Sequence, residues 1–99
     1  MNPSKEQAEL EAFRAEIDAI DAEIVRLIAK RMAVVDRVVG VKQKAGLPAH
    51  IPERVEAVAE RVRAEARRSG APPELAERVW RTLMDWVIAY EESRLKDKK

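Results

Sequence analysis

Apolar residues recur through the first part of the chain at three- and four-residue intervals: Phe13, Ile17, Ile20, Ile24, Leu27, Val34, Val35 and Val38. That interval marks one face of an amphipathic helix. Gly and Pro are scarce over the first forty positions, whereas Ala, Leu, Glu and Arg, which favour helix, are abundant. The pattern predicts one helix over about residues 7–44. At 1.5 Å per residue it is roughly 55 Å long, more than the width of about 30 Å of a compact domain of this size. A helix of that length must bend or find a partner outside its own chain.

The run 45–51, Ala-Gly-Leu-Pro-Ala-His-Ile, carries the first strong breakers, and the loop over 44–51 reads as a mobile lid. Pro52 suits the first turn of a new helix, where a missing N–H costs nothing, and Glu53 complements the helix dipole there. Val55, Val58, Val62 and Ala66 carry a shorter stripe to about residue 68, and Gly70 is expected to cap it. Pro72 and Pro73 open a third helix to about residue 95, and the tail Lys-Asp-Lys-Lys reads as frayed. Leu75, Val79, Leu83, Trp86 and Tyr90 form one stripe of that helix, with Trp80, Met84 and Val87 beside it. The apolar arc is roughly 200° wide, about twice what a surface helix needs. Cover from two directions is expected, as in a dimer built around a long shared helix. The expected fold is all-α, three helices in one domain over residues 1–99, with an ordered core over about 10–95.

Length and charge narrow the function. A chain of 99 residues buries a modest core, so association would help it. Lys and Arg number 19 against 18 Asp and Glu, without the basic excess expected of a nucleic-acid binder. There is no cysteine, hence no disulfide framework and no thiolate nucleophile. The N-terminal segment has no apolar core of a secretory signal, and no apolar run approaches the ~20 residues of a membrane span. A cytoplasmic protein without membrane or nucleic-acid partners is expected. The single histidine, His50, lies in the loop and gives little basis for a metal site.

Three cations on the first helix stand out. Taking Ile20 as zero, Arg31 falls near 20° and Lys42 near 40°, inside the apolar stripe and three turns apart. Arg and Lys are almost never fully buried unless paired, so these two meet either buried acids, such as Glu53, or an anionic ligand. Arg14 lies near 120°, at the stripe's edge, and roughly 25 Å along the helix from Arg31. The two can share a small ligand only if a partner subunit supplies Arg14. On the third helix Glu91 lines up with Trp80, Met84 and Val87. Desolvation on such a flank raises a carboxyl's pKa and favours a neutral, donating form; a pairing with Arg94 one turn on would keep it ionised.

The segments Phe13-Arg14-Ala15-Glu16-Ile17-Asp18-Ala19-Ile20-Asp21, Lys30-Arg31-Met32, Lys42, Pro52-Glu53-Arg54-Val55 and Trp86-Val87-Ile88-Ala89-Tyr90-Glu91 together resemble the all-helical chorismate mutases, over roughly residues 10–95. The resemblance implies three helices per chain intertwined as a homodimer with two active sites. It implies that Arg14 reaches a substrate carboxylate from the partner subunit and that Arg31 pairs with a carboxylate. Lys42 would donate to the ether oxygen of the enolpyruvyl group, Glu53 accept from the ring hydroxyl, Val87 contact substrate, and Glu91 stand where many members carry a Gln that also donates to that oxygen. Such a pericyclic reaction needs no nucleophile, metal or cofactor: the protein holds a compact conformer and stabilises charge growing on one oxygen.

The chain departs from that pattern at three places. Typical members carry an acid where this chain has Ala49 and an Arg where it has Pro52; Glu91 replaces the usual Gln. The Pro-Glu-Arg-Val form resembles the isochorismate pyruvate lyases of the same fold, which release salicylate and pyruvate. The substrate is therefore chorismate, isochorismate or an amino-substituted chorismate. A non-catalytic helical dimerisation module, its cations paired only with acids, is the alternative of another class.

Overall fold

The computed structural model of the chain describes residues 4–96. These form three helices and no strand: α1 (Lys5–Ala45), α2 (Pro52–Ser69) and α3 (Pro73–Lys96). Of the tail read as frayed, Lys96 closes α3 and the rest lies outside the described residues, as do the first three residues.

Helix α1 starts two residues earlier than its apolar pattern suggests, because Ser4 and Gln7 cap it reciprocally. The Gln7 N–H donates to Ser4 Oγ at 3.1 Å, and the Ser4 N–H donates to Gln7 Oε1 at 3.0 Å. This capping box satisfies donors that the first turn otherwise leaves open. The helix ends where Gly46 turns left-handed (φ 70°) and the Leu47 N–H closes onto the Lys42 carbonyl at 2.9 Å. Helix α2 ends the same way: Gly70 has φ 82°, and the N–H groups of Gly70 and Ala71 both close onto Ala66 O. Left-handed backbone costs an L-residue with a Cβ roughly 1–2 kcal/mol. Nothing lies within 4 Å of a Cβ at Gly70, so Gly70→Ala meets only that backbone term. Its melting temperature, measured by circular dichroism at fixed protein concentration, is expected to fall by roughly 4–16 °C.

The chain divides into two compact units. The first ends at Val34 and contains the greater part of α1; each described residue from Ser4 to Lys30 is exposed in the single chain. The apolar stripe is bare there, with Phe13 59 % and Ile20 57 % exposed.

The second unit starts at Val35. In it α2 and α3 form an antiparallel hairpin across the short turn at Gly70, and Val58, Ala59, Ala66, Met84 and Val87 are buried. Val35 and Val39 of α1 are buried as well. Leu75, Val79 and Trp86 of α3, expected under cover, are exposed within one chain.

Arg81 clasps the hairpin. It grips Glu56 of α2 in a two-pronged pair at 2.9 and 3.1 Å and donates from Nε to Glu77 at 2.8 Å. Glu77 also accepts from Arg63 at 2.6 Å. The Arg81 hydrogen bonds hold both carboxyls below their ordinary range. A carboxyl with a depressed folded pKa contributes stability above its unfolded pKa and loses it as pH falls through the folded value. Arg81→Met therefore lowers the melting temperature at pH 7, and the gap to the parent protein narrows at pH 3. A gap of equal size at both pH values would show that the ion pairs of Arg81 do not stabilise the hairpin. None of the helices, over the described residues, is long and apolar enough to cross a membrane.

Candidate functional site

Lys42 lies in the last turn of α1, and its side chain is 13 % exposed. A primary ammonium has three N–H donors, and two are engaged. One meets Glu91 Oε1 of α3 at 2.8 Å and one meets the backbone carbonyl of Ala49 at 2.9 Å. The Glu91 side chain is 8 % exposed and Ala49 is buried. One N–H of a nearly enclosed cation is left for a ligand, held in place by a carboxylate and a loop carbonyl. The left-handed turn at Gly46 lets the loop reverse so that Ala49 returns to the helix it has just left.

Two further polar links between α1 and α3 flank this pair. Tyr90 Oη donates to Asp36 Oδ1 at 2.5 Å, and Gln43 Nε2 donates to the Arg94 carbonyl at 3.4 Å. The Tyr90 ring stacks on Trp86, centroids 5.5 Å apart and planes within 15°. The Arg94 guanidinium sits 4.9 Å from its centroid. The hydrogen bond to Asp36, aided by burial, pushes the Tyr90 hydroxyl above its ordinary pKa and so keeps it a donor.

Of the residues singled out in the sequence, the structure joins Lys42 and Glu91 directly. Glu91 takes Lys42 as its partner, rather than the Arg94 one turn along, and Lys42 takes Glu91 rather than Glu53. Glu53 is exposed in the first turn of α2, and Val87 is buried one turn before Glu91. Arg14 and Arg31 belong to the first unit. Arg14 is exposed and pairs with Glu11 at 3.0 Å; Arg31 is half-buried. Among the described residues no ion pair holds Arg31 or Glu53, and no three His, Cys, Asp or Glu side chains converge as a metal-ligand set.

Sequence reasoning missed the Ala49 carbonyl, Asp36 and Gln43. A backbone acceptor leaves no trace in side-chain pattern. Asp36 and Gln43 do leave one, since together with Val39 they recur at three- and four-residue intervals and mark a second face of α1. Two departures from the resembled pattern, Ala49 and Glu91, touch the same atom, Lys42 Nζ.

A family model described as chorismate mutase type II matches residues 13–92. The T-protein of Enterobacter agglomerans is 43% identical over 77 residues, which are 78% of this chain and 21% of that protein. The T-protein of Haemophilus influenzae is 41% identical over 82 residues, 83% of this chain and 22% of that one. The chain thus spans about a fifth of the length of these two curated relatives. A protein named chorismate mutase from Methanocaldococcus jannaschii is 28% identical over 88 residues, 89% of each chain.

Proposed function

Since this chain belongs to the chorismate mutase type II family, we propose that it converts chorismate to prephenate in a site built around Lys42. The observation that carries this reading is the Lys42–Glu91–Ala49 cluster, which leaves one donor of an enclosed cation free. Negative charge develops on the ether oxygen as its bond to the ring breaks. A preorganised donor in a site shielded from water stabilises that charge far better than water does. Arg31 forks a substrate carboxylate, Glu53 accepts from the ring hydroxyl, and Val87 lies against the substrate.

The remaining carboxylate is met by Arg14 of a second copy. Two chains, each a single mutase domain, intertwine so that each α1 stripe is covered by the other subunit. Support comes from Phe13, Ile17, Ile20, Ile24 and Leu27, each 49 % or more exposed in the single chain. Contiguous apolar surface of this extent marks an interface.

Glu91 accepts from Lys42 through Oε1. To act as a second donor to the ether oxygen it must carry a proton on Oε2. Gln keeps the acceptor and offers a permanent N–H. Glu91→Gln is therefore expected to raise kcat with chorismate, measured at steady state and one fixed pH. A lower kcat in Glu91→Gln would show that this position serves turnover as the partner of Lys42 and not as a second donor.

A second reading is favoured by Pro52, which occupies the first turn of α2 directly before Glu53 and supplies no cation. With Arg14, Arg31 and Lys42 as the whole positive set, the site also fits isochorismate and its cleavage to salicylate and pyruvate. Purified protein offered each substrate separately distinguishes the two. Prephenate from chorismate is the expected product; salicylate and pyruvate from isochorismate, with slow chorismate turnover, select the lyase.

A further inference from the structure

The Lys42–Glu91 pair is one of three links that tie the last turns of α1 to the end of α3. On α1 the linked residues are Asp36, Lys42 and Gln43; on α3 they are Tyr90, Glu91 and Arg94, in the same order. The outer links differ in quality. Gln43 meets a carbonyl at 3.4 Å, long for a hydrogen bond. Tyr90 meets Asp36 at 2.5 Å, at the short end of the range for a hydroxyl donating to a carboxylate, where such bonds are strongest.

The Tyr90 ring is oriented by its own helix. Trp86 stacks on it from one turn before, and Arg94 lies over it from one turn after. Cation and ring attract one another in that arrangement. With the ring held by its neighbours, the hydroxyl is a rigid arm from α3 to α1. Tyr90 directly precedes Glu91, so any turn of α3 that frees the hydroxyl also moves the carboxylate that holds Lys42. Asp36 lies six residues before Lys42, about 9 Å along α1, so the strong link stands off from the pair it would align.

We propose that Tyr90 and Asp36 are positioning residues: their hydrogen bond sets the register of α3 against α1 that places Glu91 on Lys42. The role in turnover rests on the proposed mutase reading; the geometric role does not.

Two readouts on the full chain, in its native assembly, separate these. Hydrogen exchange of the Lys42 ammonium, followed by nitrogen-15 NMR of the lysine side chains, reports the Lys42–Glu91 pair without substrate. Steady-state kinetics with chorismate reports turnover. Tyr90→Phe keeps the ring and its stacking and removes only the hydroxyl. It is expected to speed Lys42 exchange and lower kcat, each about tenfold, the size of one hydrogen bond to a charged group, with KM within about twofold and helical circular dichroism unchanged. Asp36→Ala should match it, the double variant should lose no more than either alone, and Asp36→Asn, which keeps an acceptor, should recover part of both. A folded Tyr90→Phe protein with unchanged exchange and unchanged kcat would overturn the proposal, as would losses that multiply in the double variant. Faster Lys42 exchange in a protein whose parent is silent on chorismate supports the positioning role and counts against the mutase reading.

Discussion

Lys42→Ala lowers kcat by about a hundredfold to a thousandfold, the loss seen when a single preorganised donor to a developing oxyanion is removed. The expectation follows from where Lys42 sits. Two of its N–H groups are committed to Glu91 and Ala49, so the ammonium does not reorient when charge appears on the substrate. The same substitution strands the Glu91 carboxylate, only 8 % exposed, and removing one partner of a buried ion pair costs about 3–5 kcal/mol. Activity and stability therefore fall together in the single variant. They separate in Lys42→Met/Glu91→Leu, which removes both charges and keeps the volume. That double variant is expected to regain the melting temperature and none of the turnover. Thermal unfolding and single-turnover kinetics on both variants check this. Recovery of turnover in the double variant would show that Lys42 serves only to neutralise Glu91.

Ile17→Asp/Ile24→Asp abolishes assembly. Both side chains lie on the bare stripe of α1, 54 % and 49 % exposed in the single chain. Burying an Ile side chain stabilises by about 1.5–3 kcal/mol, and a two-fold dimer loses each contact twice. The loss of roughly 6–12 kcal/mol is comparable with the whole stability of a small domain. Sedimentation equilibrium at micromolar concentration is expected to find monomer, with reduced helical circular dichroism and no turnover. A dimer of undiminished stability would mean that the stripe is covered by something other than a second copy.

Much of the fold was legible in the residues. The helices follow from apolar spacing and from Gly46, Pro52, Gly70 and Pro73, and their bounds agree with expectation to within two residues. The early start of α1 was missed because the Ser4–Gln7 capping box precedes the apolar pattern. On α1 the apolar stripe around Ile20 dominates, yet the residues buried within the chain are Val35 and Val39, further round the helix. A helix with two contact faces gives one broad pattern, and spacing alone does not say which face its own chain takes. The site was half legible. Lys42 and Glu91 could be singled out as charges on apolar faces, but their pairing depends on how α1 and α3 meet, which is a tertiary property. Ala49 acts through its carbonyl, which every residue type has. Tyr90 reads as core or interface, and only its distance to Asp36 reveals a fixed arm.

In the proposed reaction the catalytic site is shared between two chains, with Arg14 from one and Lys42 from the other. Arg14→Ala and Lys42→Ala proteins, each inactive alone, are to be unfolded together, refolded as a mixture and assayed with chorismate. Half of the resulting dimers are mixed, and each mixed dimer carries both lesions in one site and none in the other. Turnover is expected to return to about a quarter of the parent value. A mixture as inactive as its components would contradict a shared site.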